Sequence, residues 1–347
     1  MASDAFSEFC SWDNLLLSWK KAARGSRKSR AAASFAYNPG EKLVRLQKQL
    51  CAGEWRPGEY THFYIHEPKR RLISAAPFTD RIVHHAWCGV LASRFESGFI
   101  GDSFANRRGK GNHVAVARLQ QFCRKYRYVL RLDVCDHFAS IDHAILLDII
   151  RRKVPEADLF GIAQMIVASG ADIHPANRYL FEGDDLLALV RPCGLPIGNL
   201  TSQLWSNCYL DPLDHFVKRT LRCSGYLRYV DDMALFSNSR KSLEMHDLQI
   251  RSWLQNRLRL RLHASQVQLT DGGVPWLGFV VYPNRKRIKS RKVVNATRKL
   301  NHAKIHWLLR SEAADDFSRR VGGWTAHALH ADTRGLRFSM MKRLFGI

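Results

Sequence analysis

Residues 225–237 read GYLRYVDDMALFS, with Tyr229, Val230, Asp231 and Asp232 at the centre. Two short apolar runs flank two acids, which is the pattern of a β-hairpin carrying Asp231 and Asp232 at its tight turn. An ordinary polar turn would use Asp in the same place. The choice between the two readings rests on the residues upstream.

There, YVLRLDV (128–134) is a β-branched and apolar run of strand length that ends at Asp133. Ser140 is the expected cap of the next helix, whose Ile145, Leu146, Ile149 and Ile150 share one face. CGLPIGN (193–199) reads as a turn, and Leu200, Leu204 and Cys208 continue as a helical stripe that Pro212 kinks or restarts. The order strand, helix, helix, hairpin sets a strand-terminal Asp133 against the Asp231–Asp232 turn. Nucleotidyl transfer to a 3′-hydroxyl uses such a set, with two Mg²⁺ ions about 3.5–4 Å apart. Magnesium keeps water and phosphate ligands, so a few carboxylates suffice.

Composition points the same way. Lys and Arg number 54 against 31 Asp and Glu, a formal net charge of +23. Such an excess attracts a polyanion, and its spread through aromatic-rich sequence favours an extended nucleic-acid channel over a basic tail. The eight Cys are scattered without a CxxC pair, which excludes a zinc knuckle or a secreted disulfide framework and leaves them reduced and mostly buried. His302 and His306 lie one helical turn apart but lack the Glu and third ligand of a zinc hydrolase. The N-terminal MASDAFSEFCSWDN has acids where a secretory signal has bases, and no apolar run is long enough for a membrane span; a cytosolic protein is expected.

Outward from the centre, residues 12–24 read as a helix, SRKSRAAAS (26–34) as a basic irregular connection, and 40–51 as a second helix. GEYTHFYIHEPKRRLISAAP (58–77) alternates like a strand hairpin, 79–95 has helical spacing, and a Gly-punctuated basic loop before residue 112 runs into another helix. Beyond Leu258, LRLRLHASQVQL alternates like a strand, PWLGFVVYP (275–283) reads as a second short hairpin, and basic helices follow Arg285, with a boundary near Pro283.

YVDD, together with LDVCDHFASIDH (132–143), GLPIGNLTSQ (194–203), DSFANRRGKGNHVAVARLQ (102–120), WLGF (276–279) and GGWTAHALHADTRGL (322–336), resembles the reverse transcriptases of diversity-generating retroelements. In that subfamily an aliphatic residue stands where most relatives have Gln, and Gln where they have Pro; here these are Ile197 and Gln203. The resemblance covers nearly the whole chain. It implies a mixed α/β, right-hand polymerase: fingers over 1–125, a ferredoxin-like palm over 126–282 with an inserted finger segment at about 150–192, and a short helical thumb over 283–347.

The resemblance also implies roles. Asp133 and Asp231 would bind two Mg²⁺ ions with Val134 beside them, and Asp232 would be a supporting carboxylate. Lys69 and Arg71, with Arg70 as the alternative second base, would hold the dNTP triphosphate, helped by the backbone N–H groups of Asp136 and His137. Phe138 would be the steric gate against a 2′-hydroxyl, with Ile197 and Gly198 beside the nucleotide. Trp276, Leu277 and Gly278 would form the primer grip. Where many such polymerases place a Lys as general acid for the leaving pyrophosphate, this chain has Gln266, so His263, another nearby base or water must serve if any group does. The implied partners are a template-repeat RNA, the cDNA–RNA duplex and an accessory variability protein that forms a basic oligomer. No segment is expected to supply a ribonuclease H or a zinc-dependent endonuclease. The rival readings are a retron or group II intron-type reverse transcriptase, and a noncatalytic RNA-binding splicing cofactor that keeps a polymerase shell.

Overall fold

The computed structural model describes residues 4–24, 29–66, 70–171, 180–310 and 313–346. Helices α1 (Asp4–Cys10) and α2 (Trp12–Ala23) open the chain, with the Ser11 side chain capping α2. Helix α3 (Arg30–Tyr37) occupies much of the stretch expected to be irregular, because Ser29 accepts the Ala32 N–H and three consecutive Ala propagate the helix. Helix α4 (Pro39–Cys51) starts on Asn38 with Pro39 in its first turn. Strands β1 (Thr61–Ile65) and β2 (Arg71–Ala75) form the antiparallel hairpin read from alternation. Leu15 and Leu43 pack with Trp87 and Leu91 of α5 (Phe78–Glu96) in one buried core. Helix α6 (Asn112–Lys125) follows the Gly-punctuated loop.

Strand β3 (Tyr128–Asp133) is central in a four-stranded antiparallel sheet. After it come α7 (His137–Ser140), α8 (His143–Arg151), α9 (Ala157–Ser169) and α10 (Leu200–His215). Asp142, not Ser140, caps α8 by accepting from the N–H groups of Ala144 and Ile145; Ser140 instead ends α7. A carboxylate at this position satisfies two orphan donors where one hydroxyl would satisfy fewer. Helix α10 runs through Pro212 without breaking and widens into a π turn over Phe216–Thr220. Fully buried Trp87 and Trp205 meet edge to face at 5.4 Å and lock α5 to α10, an arrangement contributing about 0.5–1.5 kcal/mol beyond burial.

Strands β4 (Gly225–Tyr229) and β5 (Asp232–Ser237) make the expected hairpin, and β5 pairs along the whole of β3. Helix α11 (Arg240–Leu258) was not expected: its buried residues Leu243, Ile250, Leu254 and Leu258 are dispersed among many charges. The alternation after Leu258 is a strand only at β6 (Val267–Leu269): Arg259 takes a left-handed φ of 51° and turns the chain. The intervening residues still run beside β3, where Val134 bridges to Leu262.

Strands β7 (Val274–Trp276), β8 (Phe279–Val281) and β9 (Lys286–Ile288) form a separate sheet, so Pro283 lies in a turn and helix resumes only at α12 (Ser290–Leu308). Helices α13 (Ala314–Ala328) and α14 (Arg334–Phe345) complete a small core of Leu300, Phe317, Val321, Met340 and Leu344. Among the described residues, no helix is long and apolar enough to cross a membrane. All eight Cys carry free thiols, five of them buried.

Candidate active site

The ladder brings the acids together. Asp133 is the register partner of Asp232, and Asp231 stands next to it in the two-residue turn Val230–Asp231. His263 donates its backbone N–H to the Asp133 carbonyl at 2.9 Å, so the Asp133 backbone faces residue 263. Asp232 closes the turn opposite Tyr229, so its backbone faces β4. Their pairing is therefore the closer, non-hydrogen-bonded kind, which puts both side chains on one face. By the same alternation the Val134 carbonyl points to the side of the hairpin.

Like charges this close repel, and the site shows both the cost and its relief. Burial, followed by Asp133 and Asp232, pushes the Asp231 carboxyl up to about 6, while Arg71 of β2 works the other way. Burial and Asp133 also raise Asp232, against the pull of Arg131, whose Nη2 lies 3.4 Å from Asp232 Oδ1. Lys289 faces the same group: burial and Arg131 lower its pKa, and Asp232 supports its charge. The donor set is oxygen only, the chemistry of a hard cation such as magnesium. Among the described residues, no group of three or more His, Cys, Asp or Glu side chains is set to hold a metal ion by itself.

Of the other expected residues, Arg71 reaches this face. Arg71 is exposed and close enough to Asp231 to oppose its protonation, whereas Arg70 lies over the Tyr64 ring at 4.0 Å. Lys69 lies outside the described residues. Asp136 has a left-handed φ of 44° and leads into α7. The His137 ring is buried and bonded to Ser206 at 2.8 Å, and burial, then Arg228, pushes it down to about 3; only its backbone is available to a ligand. Half-buried Phe138 accepts the Leu195 N–H at 2.8 Å, tying it to the GLPIG loop. That loop docks on the β1–β2 hairpin through Ser74 N–H to the Ile197 carbonyl at 3.0 Å. Gly198, at φ 132°, sits in a conformation that strains any other residue, and a Cβ there would press on the Ser74 carbonyl at 3.3 Å.

Leu277 and Gly278 have φ of 44° and 92°, the two positive values of a type I′ turn, and form the β7–β8 tip. The Trp276 ring is fully buried below them, with Arg131 5.8 Å from its centre. Gln266 is exposed just before β6. Gln203 lines a cleft of about 180 Å³ with Lys21, His85 and Asn106. His302 and His306 touch each other at 3.3 Å on the surface.

Three further residues belong to the site and were not expected there. Arg131 was legible as a charge two positions before Asp133, hence on its face of the strand. Arg228 was legible as a lone charge inside an apolar strand. Lys289 carried no signal, because only the fold brings it to Asp232.

The sequence profile of the family described as reverse transcriptase (RNA-dependent DNA polymerase) matches residues 66–281. Protein YkfC of Escherichia coli K12 is 21% identical over 295 residues, covering 73% of this chain and 74% of YkfC. The group II intron-encoded protein LtrA of Lactococcus lactis subsp. cremoris is 25% identical over 180 residues, covering 51% of this chain and 28% of LtrA. Apo telomerase from Candida tropicalis superposes with a TM-score of 0.50 at 9% identity, over 68% of this chain and 49% of that one. The chain thus spans about half of that structure and under a third of LtrA. The likeness is one of fold: mixed α/β in the right-hand polymerase arrangement.

Proposed function

The chain belongs to the reverse transcriptase (RNA-dependent DNA polymerase) family, and on that basis we propose that it copies a template-repeat RNA into error-prone cDNA as the polymerase of a diversity-generating retroelement. The observation that carries this reading is the seating of Ile197. An aliphatic residue lies in the loop joined to Phe138 on one side and to Ser74 of the β1–β2 hairpin on the other, and Arg71 of that same hairpin reaches Asp231 of the acid cluster.

Asp133, Asp231 and the Val134 carbonyl would hold two Mg²⁺ ions, with Asp232 in support. When bound, such ions activate the primer hydroxyl and offset triphosphate charge. Arg71 and Lys69 would hold the triphosphate as charge-assisted donors, together with the backbone N–H groups of Asp136 and His137. Phe138 would pack under the sugar where a 2′-hydroxyl would clash, with Gly198 giving the nucleotide close access to backbone. The Leu277–Gly278 tip, supported by the buried Trp276, would position the primer end. Residues 1–125 would be fingers, 126–282 palm with its insertion, and the helices after β9 a thumb that follows the duplex through its backbone. The formal charge of +23 supports RNA and the cDNA–RNA duplex as partners. The retroelement's accessory variability protein is the proposed protein partner.

An aliphatic Ile197 makes no polar demand that a mispaired nucleotide would fail to meet, so wrong and right dNTPs differ less in transition-state stabilisation than they would beside Gln. Single-nucleotide insertion kinetics on four templates test this. Ile197→Gln should lower the wrong-to-right kcat/KM ratio opposite adenine, the template base at which the resemblance to diversity-generating retroelement enzymes implies most misincorporation, more than opposite the other bases. An unchanged ratio in an active variant removes Ile197 as a fidelity determinant. Similarity to an intron-encoded protein favours an intron-type enzyme as the second reading; wild-type misincorporation that shows no bias toward template adenine would select it.

A further inference from the structure

Val230 opens the catalytic turn with a φ of 56°, a left-handed conformation that a β-branched residue rarely adopts. Directly behind it lies Arg228, a guanidinium with no solvent exposure. Its Nη1 donates to the Val230 carbonyl at 2.9 Å and to Asn207 Oδ1 at 3.1 Å. Its Nε and Nη2 take the buried Asp214 carboxylate as a fork, at 2.8 and 2.7 Å. The Tyr226 hydroxyl donates to the same carboxylate at 2.7 Å, and Asn207 Nδ2 donates to the Ala105 carbonyl at 2.8 Å. The Arg228 backbone is pinned as well: its N–H reaches the Asp102 carbonyl, and its carbonyl accepts from Phe104, both at 3.0 Å.

We propose that Arg228 is a positioning residue for nucleotidyl transfer: anchored by Asp214, it holds Val230 in its strained conformation and so keeps Asp231 and Asp232 in register with Asp133. A buried ion pair is poor value for stability alone, since apolar residues of similar volume would serve as well. What apolar residues could not supply is a donor aimed at the Val230 carbonyl. Lys could not supply it either, because a point charge cannot fork onto Asp214 and reach the turn together. The inference rests on reading Asp231 and Asp232 as the catalytic carboxylates.

The test is a rescue. Arg228→Lys should lower kcat by about tenfold or more, as expected when a strained catalytic backbone loses its support, with RNA–primer affinity retained and a lowered melting temperature, since buried partners lose bonds; kcat is therefore read well below that temperature. Adding Val230→Gly, which reaches positive φ without cost, should restore most of the lost kcat and of the Mn²⁺ affinity measured by electron paramagnetic resonance. If Arg228→Lys does not fold, Asp214→Asn loosens the same anchor at constant shape, and the same rescue is expected. A wild-type kcat in a folded anchor variant, or losses that Val230→Gly fails to repair, would overturn the proposal. Asp231→Asn run in parallel separates the two readings: its full activity would mean that the carboxylate assignment itself had failed.

Discussion

Asp133 and Asp232 face each other directly across the β3–β5 ladder, with Arg131 on the same face reaching Asp232 at 3.4 Å. Two strand-borne acids placed opposite each other are unfavourable. Arg131, Lys289 and Arg71 offset this repulsion only in part, since Asp231 and Asp232 stay raised, so the arrangement is ready for added positive charge.

Removing one acid should therefore trade function for stability. Asp231→Asn should drop dNTP incorporation to background with RNA affinity retained. At about pH 7.5 it should stabilise the metal-free protein on the order of 1–2 kcal/mol, after discounting for solvent screening. Primer extension, filter binding and thermal melts without metal check the three parts. Asp133→Asn should also abolish incorporation.

The pH dependence follows from the same carboxyl. Its pKa rises from 3.8 to about 6 on folding, so between those values the folded state binds more protons than the unfolded state. Stability contributed by this group is thus lost as pH rises through about 6. Metal binding runs the opposite way, because a cation needs the anion: at subsaturating Mg²⁺, where protons compete with the metal for Asp231, single-turnover incorporation should fall as pH drops below about 6. A flat profile from pH 5 to 7 would show that Asp231 does not titrate in the reacting state.

Phe138 is half-buried and tethered through its carbonyl to Leu195, so its ring is held in place without being sealed in the core. Phe138→Ala should raise the ratio of ribonucleotide to deoxynucleotide incorporation. Competition between labelled NTP and dNTP measures it, and an unchanged ratio in an active variant returns the ring to a packing role.

RNA affinity should weaken steeply with salt, because phosphate contacts release condensed counterions. The slope of log affinity against log salt is expected to be several units negative. Titrations between about 50 and 300 mM salt would expose a flat dependence, which would mean that the excess charge serves something other than RNA.

Much of the site is legible in local sequence pattern. Alternation places Asp133 at a strand end and the Asp231–Asp232 pair at a hairpin turn, although the two-residue loop is Val230–Asp231 and Asp232 is the first residue of β5. The helical span 79–95 and the 58–77 hairpin are legible for the same local reason. Helix α11 is hidden because its buried leucines and isoleucine are outnumbered by exposed charges. The alternation after Leu258 misleads because Leu260 and Leu262 pack by following an irregular path, not a ladder.

Local sequence dictates which residue types meet: acids at strand ends, a base-rich hairpin, and a loop carrying the aliphatic Ile197. These properties are set by periodicities of two and 3.6 residues and by turn chemistry. Three relationships arise from tertiary packing alone: the register that sets Asp133 against Asp232, the approach of Lys289 and Arg131 to that pair, and the docking of Ile197 on Ser74. The reason is that each joins segments far apart in the chain. Such contacts are selected by the shared burial of Trp87, Trp205 and their neighbours, not by any preference a short window of sequence can carry.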